Sequence, residues 1–516
     1  MAIGDNENSD DDNLTDISGV SELNLEEEES EDEIEFDIGN MLWSDEMPED
    51  VIYDHPQFTG APRGPIQPVR TFLECIQLYL TSDVMNLIVI ETNRVLQLRG
   101  PKRNRQGQQV NRNLLTVNEL WVYIAVAMLG EIHNKNVSRD NWSTDDLLFT
   151  PIFGKVMSRD RYEEIGKYLH FVDNTVRPPA GDKFWKIRNL FDLFNESFQR
   201  EFSLDRTVSV DESLMLWRGH HSLRRYIPSK ADKWGIKFYV LAESRSGYVW
   251  RILVDEGKNT RITINAQFPK LQKPGQYVME LMLPLLGLGH FIVMDNFYTD
   301  LQLFDYLLRN STSCLGTIRK GRRLLPKEVT KCSFKKKDKG EMVIKYSTNV
   351  YAFCWMDNRE VRMLSSVGSP DKDMNGKPSV IRAYNEGMPG VDLADQKRHG
   401  RITGRKRLKR WYKRVFYHLL DISLVNACIV ANCIPGVVIE QREFRMDLIK
   451  QILRKYSAVV PGINEIGVEH KLTKLKQGRC LFPECKSKPN TFCEGCNRYI
   501  CSVPCFSKAH TILKNE

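Results

Sequence analysis

Hydrophobic positions recur every three to four residues through "TFLECIQLYLTSDVMNLIVIETNRVLQL", which begins at Thr71, and again through "TVNELWVYIAVAMLGEIHN" and "FWKIRNLFDLFNESFQREF". That spacing predicts helices, and Thr116 and Ser158 stand where N-caps belong. Residues 65–204 therefore read as a helical domain. Near Thr207 the period shortens to two. "TVSVDESL", "KWGIKFYVLAES" and "GYVWRILVDE" read as successive strands, with "SRSG" at 244–247 as the turn between the last two. A helix at about 276–286, a strand "GHFIVMD", a helix "TDLQLFDYLLRN" and a strand "TSCLGTIRK" complete a sheet domain over 205–324. Residues 325–380 break the order with Lys-rich short strands and read as an inserted β-rich domain. Helices resume at Ile381 and lead into "LKRWYKRVFYHLLDISLVNACIVAN", expected to be a long helix with one basic and one apolar face. Residues 381–440 thus complete the sheet domain, 441–468 read as a linker, and 469–511 form a cysteine-rich unit. The fold class expected is α/β with mixed strand pairing.

Charge changes this picture at one end. Residues 1–50 carry 20 Asp and Glu and no Lys or Arg, and residues 1–60 are expected to be a disordered acidic tail. Taking those 20 from 67 acidic residues leaves 47 against 73 Lys and Arg, a net charge of +26 on the other 466 residues. A polyanion such as DNA or RNA suits that excess, and so does a merely solubilising surface. The N-terminal "MAIGDNENSDDDN" has neither a basic region nor an apolar core, so an intracellular protein is expected. The most apolar stretches are interrupted by Glu280, Asp421, Asn426 and Pro435 and read as buried elements, with no membrane partner.

Four carboxylates stand out by placement. Asp211 follows "TVSV" and Asp295 ends "FIVM", positions where an open α/β sheet presents side chains beyond its strands. Asp392 and Asp395 lie three apart on an expected helix and so share a face, with Gly390 upstream allowing close approach of the backbone. Crowded carboxylates repel one another unless a hard cation such as Mg²⁺ holds them. Two such ions suit in-line displacement at phosphorus, although each Asp taken singly also reads as a strand-end cap or a surface residue. Lys230, Lys233 and Lys237 and the run Arg405, Lys406, Arg407, Lys409 and Arg410 are candidate DNA-backbone contacts. The run "GRKRLKR" also reads as a solvated face or a nuclear-import signal. Trp411 reads either as a stacking surface for a base or as packing between helix and sheet.

Six of the 12 cysteines fall between Cys480 and Cys505. Cys480, Cys485, Cys493, Cys496, Cys501, Cys505 and His510 follow the pattern C-x4-C-x7-C-x2-C-x4-C-x3-C-x4-H. With His470 they make eight ligands, enough for two tetrahedral Zn²⁺ in a cross-brace of interleaved pairs.

"SVDESLMLWRGHHSLRRYIPSKADKWGIKFY", "FIVMDNFYTD" and "YNEGMPGVDLADQ" followed by "KRWYKRVFYHLLDISLVNA" together resemble the piggyBac family of DNA transposases and the host proteins derived from it, over roughly residues 65–511. The resemblance implies a ribonuclease H-like catalytic domain with an insertion, a helical N-terminal dimerisation and DNA-binding domain and a small C-terminal cross-brace zinc domain. It implies that Asp211, Asp295 and Asp392 hold two catalytic Mg²⁺, that Asp395 is needed for activity, and that Trp411 lies close to the site. It further implies cut-and-paste transposition: cleavage at transposon ends, hairpin formation and joining to TTAA sites, in the nucleus and as a homodimer on double-stranded DNA. A domesticated descendant that binds DNA or chromatin without cutting is the alternative. The cysteine cluster alone would also suit a RING- or PHD-like interaction module, which would have no use for the upstream carboxylates.

Overall fold

A computed structural model describes most of residues 42–457, apart from 50, 52, 104–106, 177–180, 229–232, 265–270, 375, 400–402 and 404–407, and then 472–474, 480, 485, 487–493, 498–499 and 501. Eleven of its helices, in chain order, are α1 (Phe72–Gln77), α2 (Ser82–Leu98), α3 (Val117–His133), α4 (Arg159–Tyr168), α5 (Arg188–Arg200), α6 (Lys273–Met282), α7 (Leu301–Arg309), α8 (Ser379–Gly387), α9 (Gly390–Arg398), α10 (Trp411–Ala431) and α11 (Gln441–Tyr456). The strands of the main sheet are β1 (Thr207–Leu216), β2 (Arg224–Tyr226), β3 (Trp234–Glu243), β4 (Val249–Val254), β5 (Phe291–Met294), β6 (Ser313–Thr317), β7 (Met342–Tyr346), β8 (Tyr351–Met356) and β9 (Glu360–Ser365). The chain divides into two units, one of Met1–Gln67, Arg177–His399 and Leu408–His418, the other of Pro68–Val176, Gly400–Arg407 and Leu419–Glu516.

The second unit is helical. Thr116 and Ser158 cap α3 and α4 by accepting from the amides of Glu119 and Arg161, as their sequence positions predict. The run from Thr71 to Leu98 is two helices, because Thr81 accepts from the amide of Val84 and starts α2 afresh. α3 is buried continuously from Leu120 to Leu129. Against it packs α11, where the sequence reading placed a linker. Phe444, Leu448, Ile449, Ile452 and Leu453 line its buried face, and Tyr456 stacks on Trp121 with ring centroids 5.4 Å apart. That spacing is helical, but charged neighbours such as Arg445 and Lys450 hide it. α10 is long and apolar enough to cross a membrane, yet almost all of it is buried within the protein. The expected basic face is absent, since only Trp411 and Arg414 escape burial.

The other unit is built on the nine-stranded sheet, in the order β7-β8-β9-β6-β5-β1-β3-β2, with β4 also paired to β3. β5 runs parallel to both β1 and β6, and the remaining pairs are antiparallel. The turn between β3 and β4 is closed by Gly247, whose φ of +73° suits a residue without a Cβ. Residues 325–380 are not a separate body: β9 pairs with β6, Leu315 opposite Ser365, so β7 to β9 widen the same sheet. α5, expected with the helical domain, belongs with the sheet, where Asn195 exchanges two hydrogen bonds with Ile252 of β4, at 3.0 and 2.9 Å. Helical periodicity identifies an apolar face but not the core it covers.

The acidic tail is shorter than composition suggests. Ser44 pairs with Tyr346 of β7, and Tyr53 is buried in the core with Phe291, Tyr351, Phe353 and Trp355. Its hydroxyl donates to the carbonyl of Ser347 at 2.5 Å. Averaging over residues 1–60 let the first acidic residues mask the aromatic stretch around Tyr53.

Candidate active site

Strand register brings two of the carboxylates together. Val208 of β1 lies beside Ile292 of β5, and Val210 beside Met294, so the next residues along, Asp211 and Asp295, stand side by side. Asp295 ends its strand as expected, and its carboxylate accepts from the amide of Phe297 at 2.9 Å. Asp211 does not end a strand. β1 runs on to Leu216 because its other edge stays paired with β3, Asp211 opposite Val240.

Glu212, which sequence reasoning passed over, joins them: one carboxylate oxygen from each of Asp211, Glu212 and Asp295 lies within 4.8 Å of the other two. Lys237 of β3, expected to contact DNA, instead pairs with Glu212 at 3.0 Å. Its ammonium also lies 4.7 and 4.9 Å from the ring centroids of Tyr239 and Phe297. Burial and then the neighbouring Glu212 push the Asp211 carboxyl up to about 8. The same two causes raise Asp295 to about 6, against the pull of the Phe297 and Tyr298 amides. Burial would raise Glu212 as well, but the charge of Lys237 together with polar contacts from Asp211, Lys237 and Tyr298 holds that carboxyl below its ordinary value. Beside the three acids Tyr298 is fully buried. Its hydroxyl approaches Glu212 without forming a well-aligned hydrogen bond.

The third acidic segment arrives on α9. Gly387 and Gly390 let this segment lie hard against the sheet: a Cβ at Gly387 would stand 2.5 Å from Val293 Cγ2, and one at Gly390 2.5 Å from Ser209 Oγ. At the other end of α9 the Asp395 carboxylate accepts from Ser213 Oγ at 2.8 Å. Ser209, Asp211 and Ser213 alternate onto one face of β1, so α9 is anchored on both sides of Asp211. Asp392 lies on the turn between the two anchors. Its carboxylate is exposed and is not one of the three within 4.8 Å.

Lys233, Lys409 and Arg410 are exposed, while Lys230, Arg405, Lys406 and Arg407 lie outside the described residues. Trp411 is half-buried, its ring 4.3 Å from His221 and 5.6 Å from Phe184 between centroids. In the C-terminal segment one sulfur from each of Cys480, Cys485 and Cys501 falls within 4.8 Å of the others, with Cys485 and Cys501 3.6 Å apart. The backbone of Cys493 pairs with Leu472 and Arg498. His470, Cys496, Cys505 and His510 lie outside the described residues.

Residues 73–428, which span the carboxylates on β1, β5 and α9 but not the C-terminal cysteines, match the family described as Transposase IS4. The chain belongs to the piggyBac transposable element-derived family of IS4-type transposases. It is similar to PiggyBac transposable element-derived protein 3 of Homo sapiens, 26% identical over 88% of this chain and 78% of that protein. It is also similar to PiggyBac transposable element-derived protein 2 of Homo sapiens, 26% identical over 70% of this chain and 61% of that one. Its fold resembles a piggyBac transposase solved by cryo-EM as a synaptic complex with hairpin DNA, with a TM-score of 0.69 and 23% identity over 86% of this chain and 98% of that one.

The piggyBac family, as one of DDE transposases, implies divalent metal ions. The residues present fit them: the donors are all carboxylate oxygen, as a hard cation requires, and without a cation burial beside one another raises both Asp carboxyls, Asp211 to about 8 and Asp295 to about 6. Both Asp pKa values lie above the unfolded value near 4, so their contribution to stability is complete below about pH 4. It is lost as pH rises through about 6 and about 8. A bound divalent ion relieves that repulsion. Added Mg²⁺ or Mn²⁺ is therefore expected to raise the melting temperature more at about pH 8.5 than at about pH 5.5; an equal shift at both, read by calorimetry, would count against metal binding at these residues.

Proposed function

We propose that the chain is an Mg²⁺-dependent piggyBac-type DNA transposase that cleaves DNA at transposon ends, forms hairpins there and joins the ends to TTAA sites. The observation that carries this reading is the convergence of Asp211 and Asp295 on adjacent parallel strands. The order β4-β3-β1-β5-β6, with the first three antiparallel and the last two parallel to β1, supports a ribonuclease H-like catalytic domain. Asp211 and Asp295 would hold the ions with Asp392, and Glu212 would lend charge from beside them. Bound there, two divalent ions supply activation of an attacking oxygen and charge stabilisation of a leaving one. Lys237 keeps Glu212 paired, and α9 carries Asp392 across β1. Lys233, Lys409 and Arg410 would hold phosphates, with the open part of Trp411 against a distorted base.

The three assembled cysteines suit Zn²⁺, with His470, Cys493, Cys496, Cys505 and His510 completing two cross-braced sites. A homodimer acting in the nucleus accords with a reaction that unites two DNA ends. A second reading has support in the names of the human relatives, which are element-derived proteins: DNA binding without cleavage. Incubating the full-length protein with DNA from the flanks of its own coding region and Mg²⁺ separates the two. Breaks and hairpins at the ends are expected; binding with no cleavage in Mg²⁺ or Mn²⁺ would favour the derived, non-cutting protein.

A further inference from the structure

α9 is docked by contacts that do different things, and Lys397 Nζ adds a hydrogen bond to the Ser246 carbonyl at 2.7 Å. At its start Gly390 lies so close to Ser209 and to the backbone of Glu243 and Ser244 that distance is fixed, but a glycine has no side chain to fix rotation. Within the helix only Val391 and Ala394 are buried beyond Gly390, and both are small enough to slide. Rotation matters because each residue of a helix turns by about 100°, so a modest roll would carry Asp392 away from β1.

At the far end is a hydrogen-bonded network. Ser213 Oγ donates to both oxygens of Asp395, at 2.8 and 3.1 Å. Arg398 Nη2 donates to Asp395 Oδ1 at 2.5 Å and to Ser213 Oγ at 3.2 Å. Arg398 Nη1 donates to Nδ1 of His418 at 2.7 Å. An arginine has no acceptor to offer, so this His nitrogen is the acceptor and the ring proton sits on Nε2. His418 is itself fixed, buried in α10 with its ring stacked on Phe238 of β3 at 5.0 Å. Burial, then the charges of Arg398 and Arg414, keep it neutral. The network therefore joins β1 to α9 through the Asp395 carboxylate and α9 to α10 through Arg398, and that carboxylate already has two donors, one of them a paired cation.

We propose that Ser213, Asp395, Arg398 and His418 form a clamp that sets the rotation of α9 on β1 and thereby the position of Asp392 relative to Asp211. These are positioning residues: they act through Asp392, and Asp395 is a clamp member, not a metal ligand. The inference rests on the reading of Asp392 as a metal ligand given above.

Two measurements on the full chain test it. Hydrogen exchange of the metal-free protein reads the docking of α9 alone. Asp395→Asn and Arg398→Gln are expected to speed exchange across residues 390–398 while peptides of β1 and β3 keep their protection; unchanged exchange in α9 would overturn the clamp. Mn²⁺ binding, followed by electron paramagnetic resonance, reads the consequence. Each substitution is expected to weaken Mn²⁺ by about tenfold, less than additively in the double variant, and to have no further effect in an Asp392→Asn background. A ligand role for Asp395 gives the opposite pattern: Ser213→Ala and Arg398→Gln would tighten Mn²⁺ by freeing the carboxylate, and Asp395→Asn would still weaken it without Asp392. If the wild-type chain bound no Mn²⁺, the metal reading would fall, and the exchange result would decide the clamp by itself.

Discussion

Replacing Asp295 by Ala is expected to abolish excision of a donor carrying the cognate ends, a loss of roughly 10³-fold or more. The magnitude follows from what the carboxylate is asked to do. Stabilising charge at a reacting phosphate is worth several kcal/mol, and each 1.36 kcal/mol is about a factor of ten in rate. Asp295 ends β5 beside Asp211, with its carboxylate oriented by the Phe297 amide, so no other side chain takes over its place. The same change is expected to raise the melting temperature of the metal-free protein slightly near pH 8, because it removes one of three mutually repelling half-buried acids. Activity and stability should thus move in opposite directions. Equal excision by the variant and the wild type would remove Asp295 from the catalytic assignment.

Gly390→Ala is the second large effect, and it acts on position alone. The new Cβ would stand 2.5 Å from Ser209 Oγ, 2.9 Å from the Glu243 carbonyl and 3.0 Å from Ser244 Cα. Two of those three atoms are backbone of the turn after β3, so the strain cannot be relieved by a rotamer change. Overpacking of this kind costs about 1–3 kcal/mol. The expected outcome is loss of that much stability, with α9 displaced and Mn²⁺ affinity reduced, although no candidate ligand has been altered. Gly154→Ala is the control, since its Cβ would meet nothing within 4 Å. If both variants melted alike and bound Mn²⁺ as the wild type does, α9 would not be held by close backbone approach.

Much of the sheet and two of the carboxylates were legible in the sequence because both depend on local pattern. Alternation marks β1, β3 and β4, and an Asp that ends an apolar strand, as Asp295 does, is conspicuous. Glu212 was not legible, because strand alternation assigns it to the opposite face from Asp211. Its carboxylate nevertheless lies within 4.8 Å of the other two, paired with Lys237. The roles of Ser213, Arg398 and His418 were hidden for another reason. They lie on three separate elements, and nothing in their spacing shows that Asp395 gathers Ser213 and Arg398, or that Arg398 in turn reaches His418. Gly390 was readable as a close approach, but not the surface it approaches. The errors about α11 and about residues 42–60 share a cause: composition averaged over a window outweighed a few well-placed apolar residues, Phe444 to Leu453 in one case and Tyr53 in the other.

Asp211 and Asp295 are expected to hold a divalent ion between them. Crystals of the full chain grown with Mn²⁺ and measured at an energy that excites its anomalous scattering locate the ion directly. A peak at about 2.0–2.2 Å from carboxylate oxygens of both Asp211 and Asp295 is the expected result. A well-ordered site with no peak between those two residues, and with Lys237 still the cation that faces Glu212, would contradict it.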